Sequence, residues 1–170
     1  DAPVIAAQTF TIAENSIDST VVDTVAATDA DGDTLTYSIT GGTGSTAFTI
    51  NSATGVVAVD AVAQLDYETT TTFGVTIQVA DSGTGTLTDS AAFTINLTDV
   101  NDAPVLDDQT FTIAENTSNS TVVDTLAASD DDADTLTYSI TGGTGSTAFA
   151  INGASGVITV DDDTQLDYET

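Results

Sequence analysis

The chain has 170 residues, of which 27 are Asp or Glu and none is Lys, Arg or His, giving a formal charge of −27 at neutral pH. That balance excludes nucleic acid and insertion at anionic membrane surfaces, which need basic side chains. It also excludes internal ion pairs except at the amino terminus, so the carboxylates are either solvated or held by cations. With no Cys as well, disulfides, thiolate metal sites and the usual nucleophile–base pairs cannot be built, and no enzyme is expected.

The chain is 40% hydrophobic, so it carries the apolar material for a core despite its charge. No apolar run approaches the roughly 20 residues of a membrane span. There is neither an initiator Met nor a signal peptide, and the sequence reads as a window on something longer.

In chain order, QTFTIAEN (8–15) places Phe10 and Ile12 on one strand face and ends on Glu14. DADGD (29–33) gathers Asp29, Asp31 and Asp33 ahead of LTYSI (35–39), where Leu35, Tyr37 and Ile39 alternate. GGTGSTAF (41–48) imitates a calcium-binding GGxGxD repeat, but Thr46 stands at the Asp position, so a flexible inter-strand loop is expected. FTINSATGVVAV (48–59) reads as two short strands joined through Ala-Thr-Gly. LDYE (65–68) sets Asp66 and Glu68 at i, i+2, on one side if the stretch is a strand. TTFGVTIQVA (71–80) lines up Phe73, Val75, Ile77 and Val79 before Asp81, and AAFTINLT (91–98) does the same with Phe93, Ile95 and Leu97. About seven strands in about 100 residues, with no helical period, predict an all-β sandwich of Greek-key type.

DVNDAPV (99–105) then packs Asp99, Asn101 and Asp102 into four residues and restarts the sequence. Residues 1–69 align without a gap on 102–170, with about three-quarters of positions identical. Two domains are expected: a complete one over 1–101 and a second over 102–170 that stops before its last two strands. That second domain is expected either to continue along a longer polymer or to take strands from a neighbouring subunit, and not to be a well-folded monomer alone.

Several carboxylates mixed with carbonyls suit Ca²⁺ better than Mg²⁺. An EF-hand starting at Asp29 fails, because Thr34 and Thr40 occupy its Gly and Glu positions. Taken in order, AEN, DAD, LDYE, QVAD and DVNDAP resemble the motifs of the cadherin repeat. The Tyr in LDYE, the lack of basic residues and the Thr-rich strands look like bacterial cadherin-like modules of large secreted adhesins. The resemblance implies calcium held between consecutive domains. Glu14, Asp66 and Glu68 would come from the first domain, Asp99, the Val100 carbonyl, Asn101, Asp102 and the Ala103 carbonyl from the junction, and Asp130 and Asp132 from the second. Asp1, Asp29, Asp31 and Asp81 would form a half-site for a preceding domain, and Glu115, Asp167 and Glu169 one for a following domain.

The function this implies is a calcium-rigidified structural segment of an extracellular adhesin or surface filament mediating cell adhesion. Its partners would be neighbouring repeats or identical chains in a tandem array. The alternative is a polysaccharide-binding module, which an exposed aromatic patch would favour.

Overall fold

The strongest alternating runs form the longest strands. In a computed structural model, which describes residues 1–167, the chain divides into two compact units, Asp1–Val100 and Asn101–Thr170. Unit 1 holds nine strands: β1 (Val4–Ile5), β2 (Thr9–Ala13), β3 (Val21–Thr24), β4 (Ala27–Thr28), β5 (Thr36–Gly41), β6 (Phe48–Ile50), β7 (Val56–Val59), β8 (Thr72–Ala80) and β9 (Thr88–Thr98). They form a four-stranded sheet ordered β2-β9-β8-β5, a three-stranded sheet ordered β3-β7-β6 and the short pair β1-β4. The β2–β9 pairing is parallel, with Phe10 opposite Ile95 and Ile12 opposite Leu97. The β8–β9 and β5–β8 pairings are antiparallel.

Period two puts Phe73, Val75, Ile77 and Val79 of β8, and Phe93, Ile95 and Leu97 of β9, on the inner face. There they are buried with Phe10, Ile12, Phe48, Val57, Val59 and Leu65 in one core. The Phe10 and Phe93 rings lie 5.7 Å apart, and Phe48 meets Phe73 edge-on at 5.5 Å. Thr9, Thr11, Thr94, Asn96, Thr76 and Gln78 alternate to the outer face, which carries no acid. Unit 1 is a β-sandwich. The only helical pieces among the described residues are two three-residue 3₁₀ turns, Val62–Gln64 and Asp163–Gln165.

The 41–48 segment differs from the flexible loop expected of it. It is a run of hydrogen-bonded turns pinned to β8, with the Gly44 N–H donating to the Gly74 carbonyl at 2.9 Å and Ala47 fully buried. Gly42 has φ of 104°, and a Cβ there would lie 2.2 Å from the Gly74 carbonyl oxygen. Gly143, its repeat counterpart, has φ of 103° with nothing within 4 Å. Gly42→Ala is therefore expected to cost about 2–4 kcal/mol, strain plus backbone clash, and Gly143→Ala only about 1 kcal/mol of strain. Urea unfolding of the two variants checks the difference.

Unit 2 holds β10 (Val122–Thr125), β11 (Phe149–Ile151) and β12 (Val157–Val160) in one sheet ordered β10-β12-β11. This sheet repeats β3-β7-β6, and an isolated Val105–Ser129 bridge repeats β1-β4. The counterparts of β2 and β5, residues 110–114 and 137–142, are identical to them in sequence yet form no strand. Phe111 and Ile113 are half-buried, whereas Phe10 and Ile12 are buried. Strand propensity is the same in both places, so the difference lies in the pairing partners β8 and β9.

Candidate metal sites

Where β2 ends, the Glu14 N–H donates to the Thr98 carbonyl at 3.0 Å, tying the ends of β2 and β9 together. Asn15, at φ 54°, then turns the chain, and its N–H donates to the Leu65 carbonyl at 3.1 Å. The turn leaves the Glu14 residue only 2% exposed. An uncompensated carboxylate would cost several kcal/mol there. Glu14 Oε2 accepts the Tyr67 N–H at 2.6 Å and Oε1 accepts the Val100 N–H at 2.8 Å. These charge-assisted bonds fasten the 65–68 segment and the exit from β9 to one side chain.

Asp66 and Glu68, both exposed, each bring a carboxylate oxygen within 4.8 Å of one from Glu14 and of each other. They do so from a turn closed by the Thr70 N–H on the Asp66 carbonyl at 2.8 Å, not from a strand. The Asp66 carboxylate also accepts the Thr69 N–H and Oγ1–H at 2.8 and 2.9 Å. Asp99 and Val100 follow β9 at this end of unit 1, and both are exposed.

The antiparallel register puts Asp81 and the DADGD loop at the other end, because Thr36 pairs with Ala80. Asp29 Oδ1 accepts the Asp31 and Asp33 N–H groups at 2.9 and 3.2 Å, while its Oδ2 is buried and accepts no hydrogen bond. Asp29, Asp31 and Asp33 each offer an oxygen within 4.8 Å of the others. The Asp1 ammonium bonds Asp31 Oδ2. That hydrogen bond, supported by the charges of Asp31, Asp29 and Asp81, raises the ammonium pKa above its usual value. Asp81 is 5% exposed, and its Oδ1 closes the β8–β9 loop by accepting the Gly83 and Leu87 N–H groups at 3.2 and 2.9 Å. Asp33 was not among the expected ligands, although its place as the third alternate acid of DADGD is the signal for it.

In unit 2, the Asp102 N–H donates to Asp132 Oδ2 at 2.5 Å and Asn101 Nδ2 donates to the Asp102 carbonyl at 2.9 Å. Asp130 Oδ1 accepts the Asp134 N–H at 3.0 Å, repeating the Asp29 loop with Ala133 at φ 59° in place of Gly32. Ala103 is exposed beside them. Glu115 and Asp167 line one groove of about 450 Å³ with Ile113 and Leu166. Glu115 is exposed where Glu14 is buried, because among the described residues no strand equivalent to β9 covers it. Glu169 lies outside the described residues.

The donor sets fit a hard divalent cation. They are clustered carboxylate oxygens, one of them a buried Asp29 oxygen with no hydrogen-bond donor, in a chain with no basic side chain. Three carboxylates this close repel one another unless a proton or cation intervenes.

An all-β sandwich with acids grouped at its strand ends defines a class of modular domain with candidate cation sites. The cadherin domain model matches residues 8–98, more than half of the chain, and the chain belongs to the cadherin family. Human Protocadherin Fat 1 is 35% identical over 132 residues, covering 74% of this chain and 3% of that protein. Mouse Cadherin EGF LAG seven-pass G-type receptor 3 is 33% identical over 177 residues, covering 99% of this chain and 5% of that protein. The chain thus spans a few per cent of the length of the curated relatives it matches. Among solved structures, human Protocadherin-24 EC1-2 superposes with a TM-score of 0.69 at 28% identity, covering 95% of this chain and 80% of that one. Mouse Cadherin-23 EC22-24 gives 0.61 at 26% identity, covering 94% and 53%. Cadherin domains in general bind calcium and serve as extracellular, non-enzymatic adhesion modules. No helix among the described residues is long and apolar enough to cross a membrane.

Proposed function

We propose that this chain is a calcium-binding, calcium-stiffened segment of an extracellular adhesive protein, built from tandem repeats and meeting neighbouring repeats or identical chains. The observation that carries this reading is the Glu14 group: a buried carboxylate with Asp66 and Glu68 oxygens within 4.8 Å, in a chain without a single basic side chain. Asp99, Asn101, Asp102, Asp130 and Asp132, with the carbonyls of Val100 and Ala103, complete the ligand set that the motif order assigns. Asp29, Asp31, Asp33 and Asp81 form a second set, and Glu115 with Asp167 a third. Bound calcium would supply the positive charge that cancels the mutual repulsion of these carboxylates, and the chain's carboxylate and carbonyl oxygens would coordinate it. The finer assignment to a bacterial surface adhesin rests on the lack of basic residues and the Thr-rich strands. No observation favours the polysaccharide reading: among the described residues no aromatic side chain is exposed.

The test is Glu14→Gln, which removes the charge and replaces one of the two acceptors of the Tyr67 and Val100 N–H groups with an amide donor. Calcium affinity by titration calorimetry is expected to fall about tenfold or more, and stability without calcium to fall by about 1–3 kcal/mol, because one of those N–H groups loses its acceptor at a buried position. Unchanged affinity would refute the assignment. A companion pair, Asp102→Ala and Asp23→Ala, is expected to split the same way. The first should weaken calcium binding, and the second, on exposed β3, should leave it alone.

A further inference from the structure

The turn that joins β11 to β12 carries a reactive dipeptide. Asn152 is the one asparagine of the chain followed by glycine, so no side chain hinders approach to the Gly153 nitrogen. Asn152, Gly153, Ala154 and Ser155 are all exposed. Asn152 Oδ1 caps the turn by accepting the Ala154 and Ser155 N–H groups, both at 3.0 Å. Among the described residues neither the Gly153 N–H nor Asn152 Nδ2 makes a hydrogen bond. Unit 1 repeats this turn with one change that matters. Asn51 Oδ1 accepts the Ala53 and Thr54 N–H groups at 3.0 Å each, but Ser52 stands where unit 2 has Gly153.

We propose that Asn152 is a self-modifying site, which converts to aspartate and isoaspartate in the folded chain with water as the only co-reactant. The Gly153 nitrogen loses its proton to water and attacks Asn152 Cγ. The Cγ–Nδ2 bond breaks, Nδ2 takes up a proton and leaves as ammonia, and a five-membered succinimide remains. The two N–H groups already on Oδ1 face the atom on which negative charge builds during the attack. Water then opens the ring. Addition at Cγ gives aspartate, and addition at the main-chain carbonyl gives isoaspartate, whose backbone runs through Cβ and Cγ. Either product adds a carboxylate to a chain of charge −27. Aspartate keeps both N–H bonds and makes them charge-assisted. Isoaspartate lengthens the backbone by one atom inside a tight turn. That turn is closed by the Asn152 N–H on the Val157 carbonyl at 2.8 Å and the Gly156 N–H on the Asn152 carbonyl at 2.9 Å, and the insertion breaks this pairing.

The experiment holds the 170-residue chain folded at neutral and at mildly alkaline pH and follows both turns by peptide mass spectrometry. Asn152 is expected to convert about tenfold faster than Asn51, because Ser52 crowds and stiffens the attacking nitrogen. The rate is expected to rise with pH, since that nitrogen must lose its proton. Gly153→Ser is expected to slow Asn152 to the Asn51 rate, and Ser52→Gly to quicken Asn51 to the Asn152 rate. Each variant gives one unit the residue that the other already carries in the same turn, so both turns remain ones that the fold accommodates. Amide exchange in β11 and β12 is expected to quicken in the isoaspartate fraction alone. Equal rates at Asn152 and Asn51 in the unaltered chain would overturn the proposal. So would an Asn152 that keeps its amide throughout, or an Asn51 that Ser52→Gly leaves no faster.

Discussion

Calcium at about 10 mM is expected to raise the melting temperature of unit 1 by about 20–40 °C over the chelated chain. Extracellular calcium modules bind in the range of about 10⁻⁴–10⁻³ M, so this concentration is about 100-fold above the tighter end. Each site filled at that excess stabilises the folded state by about 2.7 kcal/mol. Unit 1 carries two acidic groups, at Glu14 and at Asp29, and together they contribute about 5 kcal/mol at about 4–8 °C per kcal/mol. The comparison that isolates the ion is scanning calorimetry with calcium, with magnesium and with sodium chloride at matched ionic strength. Screening alone relieves part of the repulsion among exposed carboxylates, so a calcium shift no larger than the sodium shift would show that the groups are merely solvated.

The long strands were legible because each needs only its own alternation. Phe73 to Val79 and Phe93 to Leu97 fall on one face whatever their neighbours do, and the structure buries them all. β9 begins at Thr88, before the expected apolar run, because the polar Thr88, Asp89 and Ser90 cannot announce pairing that their partners on β8 impose; here Thr88 pairs with Ala80 and Ser90 with Gln78. β3 carries VVDT with no alternation of burial, and it exists because β7 pairs with it. The 41–48 turns were unreadable for the same reason, since the contact that orders them is Gly74, about thirty residues away. At the candidate sites the positions of the acids along the chain were readable, and which of them come together was not. Asp66 and Glu68 converge on Glu14 through a turn closed at Thr70, and the alternation of a strand has no part in it. Asp33 joins Asp29 through backbone hydrogen bonds that composition does not encode.

Phe10→Ala is expected to destabilise unit 1 by about 3–5 kcal/mol, and Phe111→Ala to change the stability of unit 2 by less than about 1 kcal/mol. The two residues occupy the same position of identical TFTIA segments, so local propensity and denatured-state effects nearly cancel between them. What differs is burial. Phe10 is 6% exposed in a core completed by β9, with its ring 5.7 Å from that of Phe93. Truncating it removes an aromatic side chain from a packed interior, loses the ring pair and leaves a cavity between β2 and β9. Phe111 is half-buried beside an open groove, so its removal gives up little transferred area and creates no enclosed void. Amide exchange resolved by segment separates the two units in one molecule and so reads both variants against the same background. Equal losses in the two units would mean that Phe111 already sits in a closed core, and the open face of unit 2 would then have to be abandoned.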